Sequence, residues 1–131
     1  MRRRPSTTRT RRQTPEGAVV RAILDWLAWH GIPAHRLNSG AFVLETPGSR
    51  RFFQASWVGA PDIVALLDDG RTLYIECKSA TGQLSPPQVA FRDVCRRRGV
   101  PWVLAWSVDD VARYLSDIGM GAKSVSAGGG L

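Results

Sequence analysis

Residues 14–118 predict an α/β chain, a mixed sheet with helices packed on it. Three observations point there. Two segments carry apolar residues at helical spacing behind well-formed N-terminal caps. A hairpin pattern spans residues 62–78, and an apolar strand pattern, 100–106, follows the second helix. A hairpin followed by a helix and one more strand builds a sheet with both kinds of pairing, its apolar faces covered by the helices.

Thr14 suits an N-cap, Pro15 the first helical position and Glu16 the positive helix end. Val19, Val20, Ile23, Leu24, Leu27 and Ala28 then recur at helical spacing, and Gly31 marks the stop. Short strand patterns follow at Ala34–Leu37, Ala41–Glu45 and Arg51–Gln54, separated by the turn formers Asn38-Ser39-Gly40 and Thr46-Pro47-Gly48-Ser49. Trp57 to Pro61 is a loop. It feeds an apolar run opened by Asp62, which turns at Asp68-Asp69-Gly70-Arg71 and returns as Thr72–Lys78. Ser85 and Pro86 open a second helix running to about Arg98, ended by Gly99. Val100 to Trp106 reads as a buried strand. Ser107 with Asp110 forms a capping box for a last helix to about Ser116. The expected order is αβββαβ plus a C-terminal helix. Residues 1–13 are expected to be a disordered basic arm, 14–118 one domain, and the Gly/Ser/Ala-rich 119–131 a flexible tail.

The 131 residues are enough for one domain with a true core. No apolar run approaches a membrane span, and the N-terminal arginines precede no apolar leader. Cys77 and Cys95 form no metal-ligand spacing with His30 and His35, so the thiols read as reduced and buried, as in a cytoplasmic protein. The formal charge is +7, and Arg2, Arg3, Arg4, Arg9, Arg11 and Arg12 account for all but +1 of it. The basic character therefore belongs to the arm, which can bind phosphates without reading sequence.

Asp62, Glu76 and Lys78 carry the chemistry. Side chains alternate along a strand, so Glu76 and Lys78 share a face and Cys77 takes the other. A hairpin brings Asp62 to them. Two carboxylates at one sheet end suit a hard cation such as Mg²⁺ or Mn²⁺, with the backbone carbonyl of Cys77 as a third ligand. Lys78 beside that cation orients an attacking water or takes its proton. The bland uses are a strand start for Asp62 and a solvent-facing pair for Glu76 and Lys78.

Pro61-Asp62 and Glu76-Cys77-Lys78 together resemble the signature of the PD-(D/E)xK nuclease superfamily, and the element order matches its restriction-endonuclease-like core. The segments EGAVVRAILDWLAWHGIPAHRLNSG, GAPDIVAL, YIECKSATGQLS and LSPPQVAFRDVCRRRGVPWVLAW resemble, within it, the VRR-NUC (virus-type replication-repair nuclease) domain. The likeness runs from Glu16 to Trp106 and is to the compact, stand-alone type of phages and bacteria. It implies a metal-dependent, structure-selective endodeoxyribonuclease acting on branched DNA such as four-way (Holliday) junctions, as a homodimer, in a bacterial or phage-infected cell. It implies Glu16 as a further carboxylate ligand and Gln88 as an active-site residue. Asn38, Ser39 and Gly40 would lie beside the scissile phosphate. Arg50 and Arg51, with Arg2, Arg3 and Arg4 of the arm, are candidate DNA contacts, as is the cluster Arg96-Arg97-Arg98. No small-molecule substrate is expected. A fold-keeping module that binds nucleic acid without cutting is the alternative from another class. A restriction-like or nicking nuclease is a third. Trp26 and Trp29 could bury one helix face or build a dimer contact, and Trp57 could pack inward or stack on a base.

Overall fold

The computed structural model describes residues 14–37, 41–54 and 57–120. Its elements are α1 (Pro15–Trp29), β1 (Ala34–Arg36), β2 (Ala41–Thr46), β3 (Ser49–Gln54), β4 (Ile63–Leu66), β5 (Thr72–Cys77), α2 (Pro86–Arg98), β6 (Trp102–Ala105) and α3 (Val108–Asp117). The fold is a mixed α+β domain around a four-stranded sheet of order β1-β4-β5-β6. β1 and β5 run antiparallel to β4, while β6 runs parallel to β5 and is reached through α2.

The strand count exceeds the expected order by two. β2 and β3 pair only with each other, as a separate antiparallel ribbon, Ala41↔Gln54 to Thr46↔Ser49. Short apolar runs on either side of the Thr46–Ser49 turn predict strands but cannot say which sheet they join, because pairing partners are set by tertiary contacts.

The helix starts follow from local chemistry. Thr14 Oγ1 accepts from Gly17 N at 3.0 Å. Ser85 and Gln88 form a reciprocal capping box ahead of α2. Asp110 Oδ2 accepts from Trp106 N at 2.8 Å and from Ser107 N at 3.2 Å at the head of α3.

Alternation along β4 and β5 divides the interior. Ile63, Ala65, Leu73, Ile75 and Cys77 face a main core closed by Val20, Ile23 and Leu27 of α1 and by Val111 and Leu115 of α3. The opposite face, with Tyr74 and Leu104, packs against Phe91 and Cys95 of α2 and against Trp102. Each large side chain fully buried here contributes about 1.5–3 kcal/mol of transfer free energy. That packing holds the end of β5 rigid. Both cysteines are free and buried.

The β4–β5 turn fixes the register. Leu67 N donates to Arg71 O at 2.9 Å and Gly70 N to Leu67 O at 3.0 Å. Arg71 is held in turn by Asp69 and by the Ile118 carbonyl at the end of α3. Register matters because a one-residue slip would send Glu76 into the main core. Among the described residues, no helix is long and apolar enough to cross a membrane.

Candidate active site

Ile63 of β4 faces Ile75 of β5. One step towards the end of the sheet, Asp62 and Glu76 therefore stand across from each other. Asp62 Oδ2 accepts a hydrogen bond from Cys77 N at 2.8 Å, which ties the loop before β4 to the end of β5. Glu16 arrives from the first turn of α1. The three acids Glu16, Asp62 and Glu76 each place a carboxylate oxygen within 4.8 Å of the others.

Lys78 completes the group. Its Nζ lies 3.5 Å from Glu76 Oε1 and 3.9 Å from Glu16 Oε1. Lys78 N donates to Ala105 O at 3.0 Å, so the neighbouring strand β6 holds its backbone. A Cβ on Gly82 would stand 3.1 Å from Lys78 Cδ, so a bare glycine backbone lies against the lysine stem. Glu76 is 2% exposed and Lys78 8%, the two charged residues of the buried interior among those described.

Such burial has an electrostatic consequence. The Glu76 carboxyl is pushed up to about 8: desolvation raises it most, the Asp62 charge adds to the rise, and Lys78 opposes it less strongly. Near neutrality and without a cation, Glu76 therefore keeps a proton. With all three acids ionised, three carboxylates would face one lysine, and a divalent cation would balance that excess of negative charge. The donors are all oxygens, with neither imidazole nor thiolate among them, which fits a hard cation. The Cys77 thiol is fully buried in the main core and pushed up by burial, so it stays protonated and offers no ligand.

Gln88 is held twice. Its Oε1 accepts from Ser85 N at 2.9 Å, and its Nε2 donates to Glu76 Oε1 at 3.0 Å. The capping box of α2 thus aims an amide N–H at the buried carboxylate.

The sequence model of the VRR-NUC domain matches residues 14–109. The chain belongs to the VRR-NUC family. A solved structure titled "VRR_NUC domain" is similar to it, with a TM-score of 0.56 and 21% identity over 79% of this chain and 96% of that one. At that identity the likeness speaks for the fold. Comparison with curated proteins gives no significant match. VRR-NUC membership brings a nuclease-type fold and, with it, DNA as the substrate class.

Within this VRR-NUC fold, Glu16, Asp62, Glu76, Lys78 and Gln88 come together at one end of the sheet. Arg50 and Arg51 lie on β3 of the separate ribbon, and the Arg50 side chain is exposed. Arg96, Arg97 and Arg98 occupy the last turn of α2, the end away from Gln88. Asn38, Ser39, Gly40, Arg2, Arg3 and Arg4 lie outside the described residues, as do the rest of the arm, 1–13, and the end of the tail, 121–131. Leu37, just before Asn38, donates its N–H to Asp62 O at 2.7 Å.

Gly82 and Gly59 support the site with no signal in the sequence, while Ser85, expected as the start of the second helix, also orients Gln88. The S-x-x-Q spacing at Ser85-Pro86-Pro87-Gln88 is the sequence signal for that pairing. Gly59 has φ 85°, and a Cβ there would collide with the Pro87 carbonyl and the Gln88 N–H. Gly59→Ala is therefore expected to push the loop before Asp62 away from the head of α2. Activity should fall at least about 10-fold and stability by about 1–3 kcal/mol, read by initial rates and by urea unfolding.

Proposed function

We propose that this chain is a divalent-cation-dependent endodeoxyribonuclease that hydrolyses phosphodiester bonds in branched DNA such as four-way junctions. The observation that supports it is the convergence of Glu16, Asp62 and Glu76 within 4.8 Å, with Lys78 against them. Asp62, Glu76 and Glu16, with the Cys77 carbonyl, would hold Mg²⁺ or Mn²⁺. When bound, such an ion neutralises charge on the phosphate and lowers the pKa of a coordinated water.

The remaining roles fall to the chain itself. Lys78, anchored through its backbone and packed along its stem, keeps its ammonium at the acid cluster, where it orients the attacking water. Gln88 holds Glu76 Oε1 by an N–H bond that favours the ionised carboxylate, offsetting part of the desolvation. The buried face around Glu76 keeps bulk water from loosening either group. Resemblance to the compact members of the family supports the branched substrate and a homodimer, since paired incision of a junction requires two sites.

The test is purified protein with Mg²⁺ or Mn²⁺ and four-way, flap and linear DNA. Cation-dependent cutting of the four-way junction is expected, with linear duplex cut far more slowly. Equal cutting of linear duplex would contradict structure selectivity, and binding without cutting of any substrate would make the chain a DNA-binding module. Removal of residues 1–12 should weaken binding and reduce the slope of log affinity against log salt by up to about 5, the limit for six arginines on phosphates. An unchanged slope would show that the arm touches no phosphate.

A further inference from the structure

Trp57 is 63% exposed, five residues ahead of Asp62. What distinguishes it from other exposed residues is how it is held. Ala60 N donates to Trp57 O at 3.0 Å, closing a turn through Gly59 with its φ of 85°. That turn lies directly on the backbone of Pro87 and Gln88. The indole meets Phe91 edge-on, centroids 4.9 Å apart at 66°. Phe91 is 5% exposed and itself meets Tyr74 edge-on at 5.2 Å and 85°. Tyr74 shares a strand face with Glu76.

The three rings thus form a ladder on the face of the sheet that carries Glu76. Phe91 lies three residues beyond Gln88 on α2, a rise of about 4.5 Å. Gln88 bonds Glu76 directly. Trp57 is the outer ring of this ladder, supported along one edge by Phe91 and otherwise largely open to solvent.

We propose that Trp57 is a stacking platform for an unpaired nucleobase flanking the scissile phosphate, and so a specificity-determining residue for branched DNA. The proposal rests on the nuclease reading above. A base inside a continuous duplex has both faces covered, so an indole gains nothing from it. An unstacked base at a branch point has a free face, and every base has one, so the contact is tolerant of sequence. Rigid support lowers the ordering penalty of the contact.

The experiment moves a single abasic site through the nucleotides around the cut in a junction substrate. It reads equilibrium binding by fluorescence anisotropy in EDTA, and cleavage in Mg²⁺. The proteins are wild type, Trp57→Leu, Trp57→Phe and, as control, Trp29→Ala, which removes an 87% exposed indole at the far end of α1. For wild type, one abasic position should weaken binding on the order of 10-fold, the worth of one stacked base. Trp57→Leu, which keeps an apolar contact with Phe91, should lose that dependence and bind the intact junction about as weakly as wild type binds the abasic one. Trp57→Phe should recover most of it, and Trp29→Ala should match wild type. An abasic profile identical in wild type and Trp57→Leu would overturn the platform. Wild type that shows the profile in binding but cuts nothing would overturn the nuclease reading and leave the platform standing. Absence of DNA binding would overturn both.

Discussion

Lys78→Met is expected to lower the single-turnover cleavage rate by about 10³-fold while DNA affinity changes less than about 3-fold. A positioned proton-handling or water-orienting group is typically worth 10²–10⁴ in rate. Its ammonium stands 3.5 Å from Glu76 and 3.9 Å from Glu16, and 8% exposure leaves it little reach towards a distant backbone phosphate. Met keeps the length of the stem, so the packing against Gly82 survives and the variant should fold. Quench-flow rates and filter binding on the same junction measure the two quantities. A parallel fall in binding and rate would assign Lys78 to phosphate anchoring instead. Retained cutting would remove it from the chemistry.

Glu76→Gln is expected to stabilise the cation-free protein and remove its response to divalent cations. In the folded state the Glu76 carboxyl is pushed up to about 8, against 4.5 for a free glutamate. Below pH 4.5 both folded and unfolded forms carry the proton, and the difference between them has no effect. Between 4.5 and about 8 the unfolded state ionises and the folded state resists, so the folded state binds more protons and stability falls as pH rises. Above about 8 the loss levels off at a ceiling of about 5 kcal/mol, because each pH interval of one between the two values costs about 1.36 kcal/mol. Gln fills the same volume, can still bond Gln88, and never ionises. Urea unfolding at pH 5, 6.5 and 8 in EDTA should show a falling series for the wild type and a flatter, higher one for Glu76→Gln. Addition of Mg²⁺ should raise the wild type most at pH 8 and leave the variant unmoved. An unchanged pH slope in the variant would mean that another group carries the linkage.

Both predictions follow from ionisable groups buried together at one end of an otherwise ordinary sheet. Much of that end was legible in the sequence because its causes are local. Thr14-Pro15, Ser85-Pro86 and Ser107 with Asp110 mark helix starts by their own hydrogen-bonding chemistry. The alternation in 72–78 assigns Glu76 and Lys78 to one face before any partner is known.

Less legible features depend on contacts far apart in sequence. The ribbon of β2 and β3 stands apart because β1 pairs with β4, across an interval that no local pattern spans. Glu16 looks like a helix-end acid until the docking of α1 brings it to Lys78. Gln88 looks like an exposed first-turn residue. Its second hydrogen bond needs α2 laid over the Glu76 face. The tryptophans separate only in three dimensions: Trp26 packs against the main core while Trp29, three residues on, is 87% exposed.

The most direct test of the cation site is calorimetric titration of Mn²⁺ into EDTA-stripped protein at pH 6.5, in two buffers of different ionisation enthalpy. Asp62→Asn and Glu76→Gln are run beside the wild type. Saturable binding by wild type is predicted, with release of close to one proton as Glu76 ionises. Asp62→Asn should bind much more weakly, and Glu76→Gln should release no proton. Heats that stay at the dilution level into the millimolar range, or binding equal in all three proteins, would contradict a metal site formed by these acids.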